Sequence, residues 1–202
     1  LLAPGAGMGV TGASLTAYDL DGVESLAIDA LGQATADTLT TNTVGNYTFT
    51  PAGPGAGTVQ VDSLLPLNYD HFETVIYDGT TLVVTGTTGD DTVTLTATEL
   101  TVHGHVTTVA GFSAVGNSLV LNLLDGNDTV TIESSALFLG GVTINGGDSD
   151  QLGDSVTVND VSNGPVTIDF ALGTVAGIVG GPIALDGVEE LTVNGVEGGT
   201  AN

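Results

Sequence analysis

Seven aspartates fall in three short turns: Asp90 with Asp91, Asp125 with Asp128, and Asp148 with Asp150 and Asp154. Calcium takes about six to eight oxygen ligands, mostly carboxylates and carbonyls. Closely spaced Asp beside Gly supplies both, so these turns are the candidate metal ligands. Asp148, Asp150 and Asp154 form the densest group. A plainer reading stands beside this one. Asp and Gly favour turns for conformational reasons alone, and their charges can simply be solvated.

Other chemistry is thinner. His103-Gly104-His105 would put two imidazoles on one strand face, a start for zinc, but no Cys accompanies them. Lyase chemistry on a uronate needs a basic residue, and the chain has no Lys or Arg. A hydrolase working through paired carboxylates needs them to face each other. Adjacent acids such as Asp90-Asp91 or Glu189-Glu190 point to opposite faces of a strand. The expectation is that the chain is not an enzyme. Asn46-Tyr47-Thr48 and Asn127-Asp128-Thr129 match the N-glycosylation pattern, as Thr-rich sequence often does.

The absence of Lys and Arg decides which partners are admissible. With 24 acidic residues and three histidines the formal charge is −24. Nucleic acid is excluded as a partner, because affinity for it comes largely from basic side chains neutralising phosphates. Anionic membrane surfaces repel the chain for the same reason. No apolar run approaches the roughly 20 residues that span a bilayer, so membrane insertion is not expected. Divalent cations, neighbouring repeats or further copies of the chain are the partners left. Cysteine is absent, which removes disulfides and thiol chemistry.

The turns need a scaffold, and the sequence repeats in a way that supplies one. LVVTGTTGDDTVTL (82–95) aligns with LVLNLLDGNDTVTI (119–132) without a gap. VTINGGDSDQLGDSVTV (142–158) aligns after a three-residue insertion. A second phrase returns as DGVESLAIDA (21–30), HFETVIYDG (71–79), GFSAVGNSLVLN (111–122) and DGVEELTVNG (186–195). Pairs of an apolar then a small polar residue mark the phrase ends: Ile28-Asp29, Val61-Asp62, Tyr77-Asp78, Val102-His103, Leu121-Asn122, Ile144-Asn145, Ile168-Asp169 and Val193-Asn194. In the C-terminal half they recur at steps of 23, 24 and 25 residues. Stacked, Asn122 and Asn145 would form an amide ladder, with Asp169 and Asn194 continuing it.

Within each phrase, Val93 with Leu95, Val130 with Ile132, and Val156 with Val158 alternate with polar residues. Period-two alternation marks half-buried strands. No segment carries a capped 3.6-residue apolar period, so almost no helix is expected. Aromatic residues are only 4%, which predicts a thin aliphatic core. PAGPGAG (51–57) reads as a protruding Gly/Pro loop between strands. The fold these features predict is an all-β, right-handed parallel β-helix, a solenoid of roughly two dozen residues per coil, running as one elongated segment over 1–202. The alternative is a tandem antiparallel β-sandwich, which explains the alternation equally well but not the shared phrases.

DGVESLAIDA, DGVEELTVNG and LLDGNDTVTI resemble tandem-repeat modules of very large secreted or surface proteins of bacteria, planctomycete-like ones among them. YTFTPAGPGAGTVQV (47–61) fits the same style. The resemblance covers nearly the whole chain. It implies an extracellular β-solenoid whose repeats carry no enzymatic activity. DGNDTV (125–130) also resembles half of a calcium-binding RTX nonapeptide. Leu123 and Leu124 stand where that pattern has glycines, Gln151 stands where it has Asp, and there is no tandem nine-residue period.

Function follows as an expectation: a structural segment of a bacterial surface layer or filament, part of a longer repetitive protein, located outside the cell. Neither end shows a helical or charged cap, so end-to-end, head-to-tail self-association is expected. The competing expectation is the calcium-stabilised stalk of an adhesin.

Overall fold

The computed structural model describes residues 26–30, 37–40, 45–53, 55–72, 74–76, 80–96, 98–108, 117–133, 140–148, 152–159, 165–177 and 181–195. Among these residues the chain forms eighteen strands and no helix. Thr, Val and Ile dominate the strands because branched side chains pack well on a pleated surface.

The strands form two mixed sheets. The first runs in the order β1 (Leu26–Asp29), β5 (Leu67–Asp70), β4 (Ala56–Val61), β3 (Asn46–Gly53), β7 (Thr81–Thr85), β11 (Ser118–Asn122), β13 (Gly141–Asn145), β17 (Ile183–Asp186), β16 (Thr174–Ala176), β15 (Thr167–Asp169). The second runs β18 (Glu190–Asn194), β14 (Ser155–Asn159), β12 (Thr129–Ile132), β8 (Thr92–Leu95), β9 (Glu99–Val102), β10 (His105–Thr108), β6 (Thr74–Ile76), β2 (Thr38–Thr40).

At the centre of each sheet the pairing is parallel and in the register of the sequence repeats. Leu82 lies opposite Leu119, Leu119 opposite Val142, and Val142 opposite Ile183. In the other sheet Val93, Val130, Val156 and Leu191 follow one another in the same way. The ungapped alignment of 82–95 with 119–132 is therefore a stacking register, and the three-residue insertion before Val156 falls in sequence between β13 and β14. Alternation does the rest: β7 and β11 each bury every second residue, and β8 and β12 do the same.

These inward residues form the core. Leu82, Leu119, Leu121, Val130, Ile132, Ile144 and Val158 are fully buried. Each side chain taken from water contributes roughly 1.5–3 kcal/mol, an upper range for an extended unfolded reference. Among the described residues the buried aromatic side chains lie in the N-terminal part, where Phe49 stacks on Tyr69 at 6.1 Å between ring centroids and Phe72 meets Tyr69 edge-on at 6.2 Å. The described core is thus aliphatic from Leu82 onward and mixed aliphatic and aromatic before it.

Three expectations are corrected in detail. The spacing between stacked residues is not uniform: 37 residues from Asp91 to Asp128, 26 from Asp128 to Asp154, and 35 from Asp154 to Glu189. Two antiparallel hairpins, β9–β10 and β15–β16, are inserted into the longer steps. The even steps read from the apolar-polar pairs mix different rows. Asp169 pairs with Thr174 in the β15–β16 hairpin, and the partner of Asn145 in β17 is Asp186. Asn194 stacks on Asn159 instead. Tyr77 and Asp78 lie outside the described residues. Finally, much of 51–57 is strand: Pro51 pairs with Gly57, and Gly53 with Ala56, across a hairpin whose Pro51 is buried. The Gly/Pro segment is a hairpin end and not an open loop.

Candidate functional site

The acidic turns come together at one corner, where the chain leaves β7, β11 or β13 and enters β8, β12 or β14. Parallel stacking superimposes these turns, so each turn's backbone faces the next. Turn backbone cannot pair as a regular ladder, and its N–H groups need other acceptors. The aspartates supply them.

Two columns result. In the inner one, the Asp91 N–H donates to Asp128 Oδ1 at 2.8 Å, the Asp128 N–H to Asp154 Oδ1 at 2.7 Å, and the Asp154 N–H to Glu189 Oε2 at 2.7 Å. Asp91, Asp128 and Asp154 are each 1% exposed. In the outer column, the Asn127 N–H donates to Asp90 Oδ1 at 2.9 Å. The N–H groups of Leu152 and Gly153 both donate to Asn127 Oδ1 at 3.0 Å. Between β11 and β13, Asn145 Nδ2 donates to Asn122 Oδ1 at 2.6 Å, which is the amide ladder expected for that pair.

The three buried carboxylates differ in how well they are satisfied. Asp91 also accepts from the Thr87 N–H at 2.8 Å and the Thr87 hydroxyl at 3.3 Å, and His103 Nε2 lies against its Oδ1. Oδ2 of Asp128 and Oδ2 of Asp154 are buried without a hydrogen-bond partner. Burial pushes the Asp128 carboxyl up to about 6, with neighbouring Asp154, Asp91 and Asp90 adding to the rise and the Asp91 N–H opposing it. Burial raises Asp154 as well, against the Asp128 N–H and with help from Glu189. Desolvation disfavours the charged form of an acid, and the chain has no Lys or Arg to offset it.

Glycine makes room for this arrangement. A Cβ on Gly146 would overlap Asp154 Oδ2 and the Gly187 carbonyl oxygen. Gly147, at φ 93°, would drive a Cβ into the Leu124 carbonyl. A side chain at either position separates the stacked turns.

The candidate ligands are thereby divided. Asp91, Asp128 and Asp154 face inward and cap backbone. Asp90 is exposed at the outer column. Asp125 and Asp148 are exposed and line, with Asp186, Asn145 and Thr88, an open groove of about 480 Å³. Asp150 lies outside the described residues. Among the described residues no three His, Asp or Glu side chains converge as a metal site. The densest sequence cluster, Asp148 with Asp154, is split between groove and interior.

His103 is a turn residue and not part of a strand. His103 and Gly104, at φ 50° and 77°, form the two-residue turn between β9 and β10, and His105 opens β10 opposite Val102. Two successive positive φ angles suit the twist of a tight hairpin. Sequence reasoning missed Glu189 as the end of the inner column. Its signal was position: Asp91, Asp128, Asp154 and Glu189 each stand two residues before the first inward residue of the following strand, Val93, Val130, Val156 and Leu191.

The class defined so far is an all-β chain whose two mixed sheets meet at a corner built from stacked acidic turns. Comparison with known proteins finds no matching family model, no matching curated protein and no matching solved structure.

Proposed function

We propose that the chain is a non-enzymatic, extracellular structural segment: a right-handed parallel β-helix from a bacterial surface layer or filament that associates with itself end to end. The observation that carries this reading is the in-register parallel stacking of Leu82, Leu119, Val142 and Ile183 beside Val93, Val130, Val156 and Leu191. A sandwich of antiparallel sheets offers no reason for sequence repeats to pair in parallel. In a β-helix each repeat is one coil, and stability accumulates interface by interface. Right-handedness is the rule for a crossover between parallel strands of one sheet.

The chemistry of the corner favours scaffold over catalyst. Its buried carboxylates are occupied with backbone N–H groups, and the exposed ones are spread along the groove. Having no Lys or Arg, the chain also offers no cleavage site to proteases directed at basic residues, a useful property for a rod outside the cell.

A second reading is favoured by the groove of Asp125, Asp148 and Asp186: a calcium-stabilised adhesin stalk, with calcium bridging neighbouring coils. Negative-stain electron microscopy after chelation, and again with about millimolar calcium, separates the two. Long unbranched fibres in both conditions are expected for the self-assembling segment. Short rods ordered only with calcium would transfer the assignment to the stalk.

A further inference from the structure

The two outer strands of the eight-stranded sheet carry matching surfaces. β18 and β2 end that sheet, and among the described residues nothing pairs with the outer edge of either. β2 is parallel to β6, and β6 to β10. β10 is antiparallel to β9, and β9 to β8. From β8 the pairing stays parallel through β12 and β14 to β18. The two reversals cancel, so β2 and β18 point the same way at opposite ends of the sheet.

Register survives the whole path. One row runs Thr192, Thr157, Thr131, Thr94, Thr101, Val106, Thr74, Thr38. The next row begins at Val193 and ends at Leu39 by the same pairings. Val193 and Leu39 are both only partly buried and packed against the core, as expected of residues waiting for one more layer.

The end beyond β18 is also open in depth. The β15–β16 hairpin extends the ten-stranded sheet beyond β17, whereas among the described residues no strand follows β18. Between hairpin and β18 lies a cleft of about 350 Å³ lined by Ile168, Phe170, Leu185, Val188 and Leu191. Phe170 is 88% exposed, an unusual position for an aromatic side chain without a partner surface.

We infer that β18 of one copy pairs in parallel with β2 of the next, Thr192 opposite Thr38 and Val193 over Leu39. This rests on the self-assembling reading above and specifies its interface. The occupant is a second copy because the chain's own outer strand matches, in polarity, in row and in side-chain type, the edge that no described strand pairs with. A contact between two different edges is heterologous and does not close on itself, so it propagates as a filament. Glu189 and Glu190 flank the junction on one side and Asp37 on the other, all acidic. Association therefore requires salt to screen the ends.

The chain has no cysteine, so a Thr38→Cys/Thr192→Cys double variant carries only the two thiols of interest. Paired residues of adjacent strands lie within the roughly 4.4–6.8 Å Cα separation a disulfide needs. Mild oxidation at about 0.5 M salt, well screened, should convert the double variant into a ladder of covalent oligomers. Either single variant should remain monomeric on a denaturing gel, and circular dichroism should match the parent. Efficient dimers from Thr192→Cys alone would mean that β18 pairs with itself and would overturn the inference. Fibres without the ladder would also overturn it while leaving self-assembly standing. Neither fibres nor ladder would remove both.

Discussion

Replacing Asp128 by Asn keeps an oxygen to accept the Asp91 N–H and removes the buried charge. In the folded chain the Asp128 carboxyl titrates near 6, against 3.8 for an unperturbed Asp. A raised folded pKa means that the native state binds the proton more tightly than the unfolded chain. The resulting stability is fully present below about 3.8 and is lost as pH rises through about 6. At about 1.4 kcal/mol per pKa unit, the ionised side chain costs the neutral-pH fold about 3 kcal/mol. The amide carries its own cost, an unpartnered NH₂ of about 1–3 kcal/mol, but that cost does not change with pH. The informative quantity is thus a difference of differences. Urea unfolding in chelator at about pH 4 and about pH 8 should show Asp128→Asn gaining about 2.5 kcal/mol on the wild type between the two, because at about pH 4 the unfolded Asp is already partly ionised. Asp125→Asn alters net charge equally in an exposed position of the same turn and should gain much less, chiefly in low salt. Parallel pH profiles for wild type and Asp128→Asn would refute the reasoning that an unpaired carboxylate is buried there.

Gly146→Ala places a methyl group against Asp154 Oδ2 and the Gly187 carbonyl, and should cost about 2 kcal/mol or more in urea unfolding. Val130→Ala empties the middle of an aliphatic column and should cost about 2–4 kcal/mol, whereas Thr131→Ala, on the outward face of the same strand, should cost under about 0.5 kcal/mol. Asn145→Ala removes the donor to Asn122 and should destabilise by about 1 kcal/mol, measured the same way.

Much of the strand register was legible because stacking forces equivalent residues to look alike. Leu82 and Leu119, or Val93 and Val130, occupy equivalent rows, so a column of the fold is a column of the alignment. The absence of helix among the described residues followed equally directly from period-two alternation. The inserted hairpins were not legible as interruptions. His103-Gly104 is a turn only because two successive residues take positive φ, which short polar sequence signals weakly. Asp169 mimicked a column residue because an apolar-polar pair also ends an ordinary hairpin strand. At the corner, sequence picked out turns that stack on one another but could not sort their acids. Asp125 and Asp128 sit three residues apart in one turn, yet one is exposed and the other 1% exposed. That division depends on which N–H groups the stacked turn above or below leaves unpaired, a property of two stacked turns together that one stretch of sequence does not carry.

The claim beneath all of this is that successive repeats stack in parallel. In isotope-labelled protein, nuclear Overhauser contacts across β8, β12 and β14 test it directly. Parallel stacking predicts that backbone protons of Val130 contact those around both Val93 and Val156, with close Hα–HN contacts and no strong cross-strand Hα–Hα pairs. Strong Hα–Hα contacts among these strands, or contacts from Val130 to only one of the two repeats, would contradict the account.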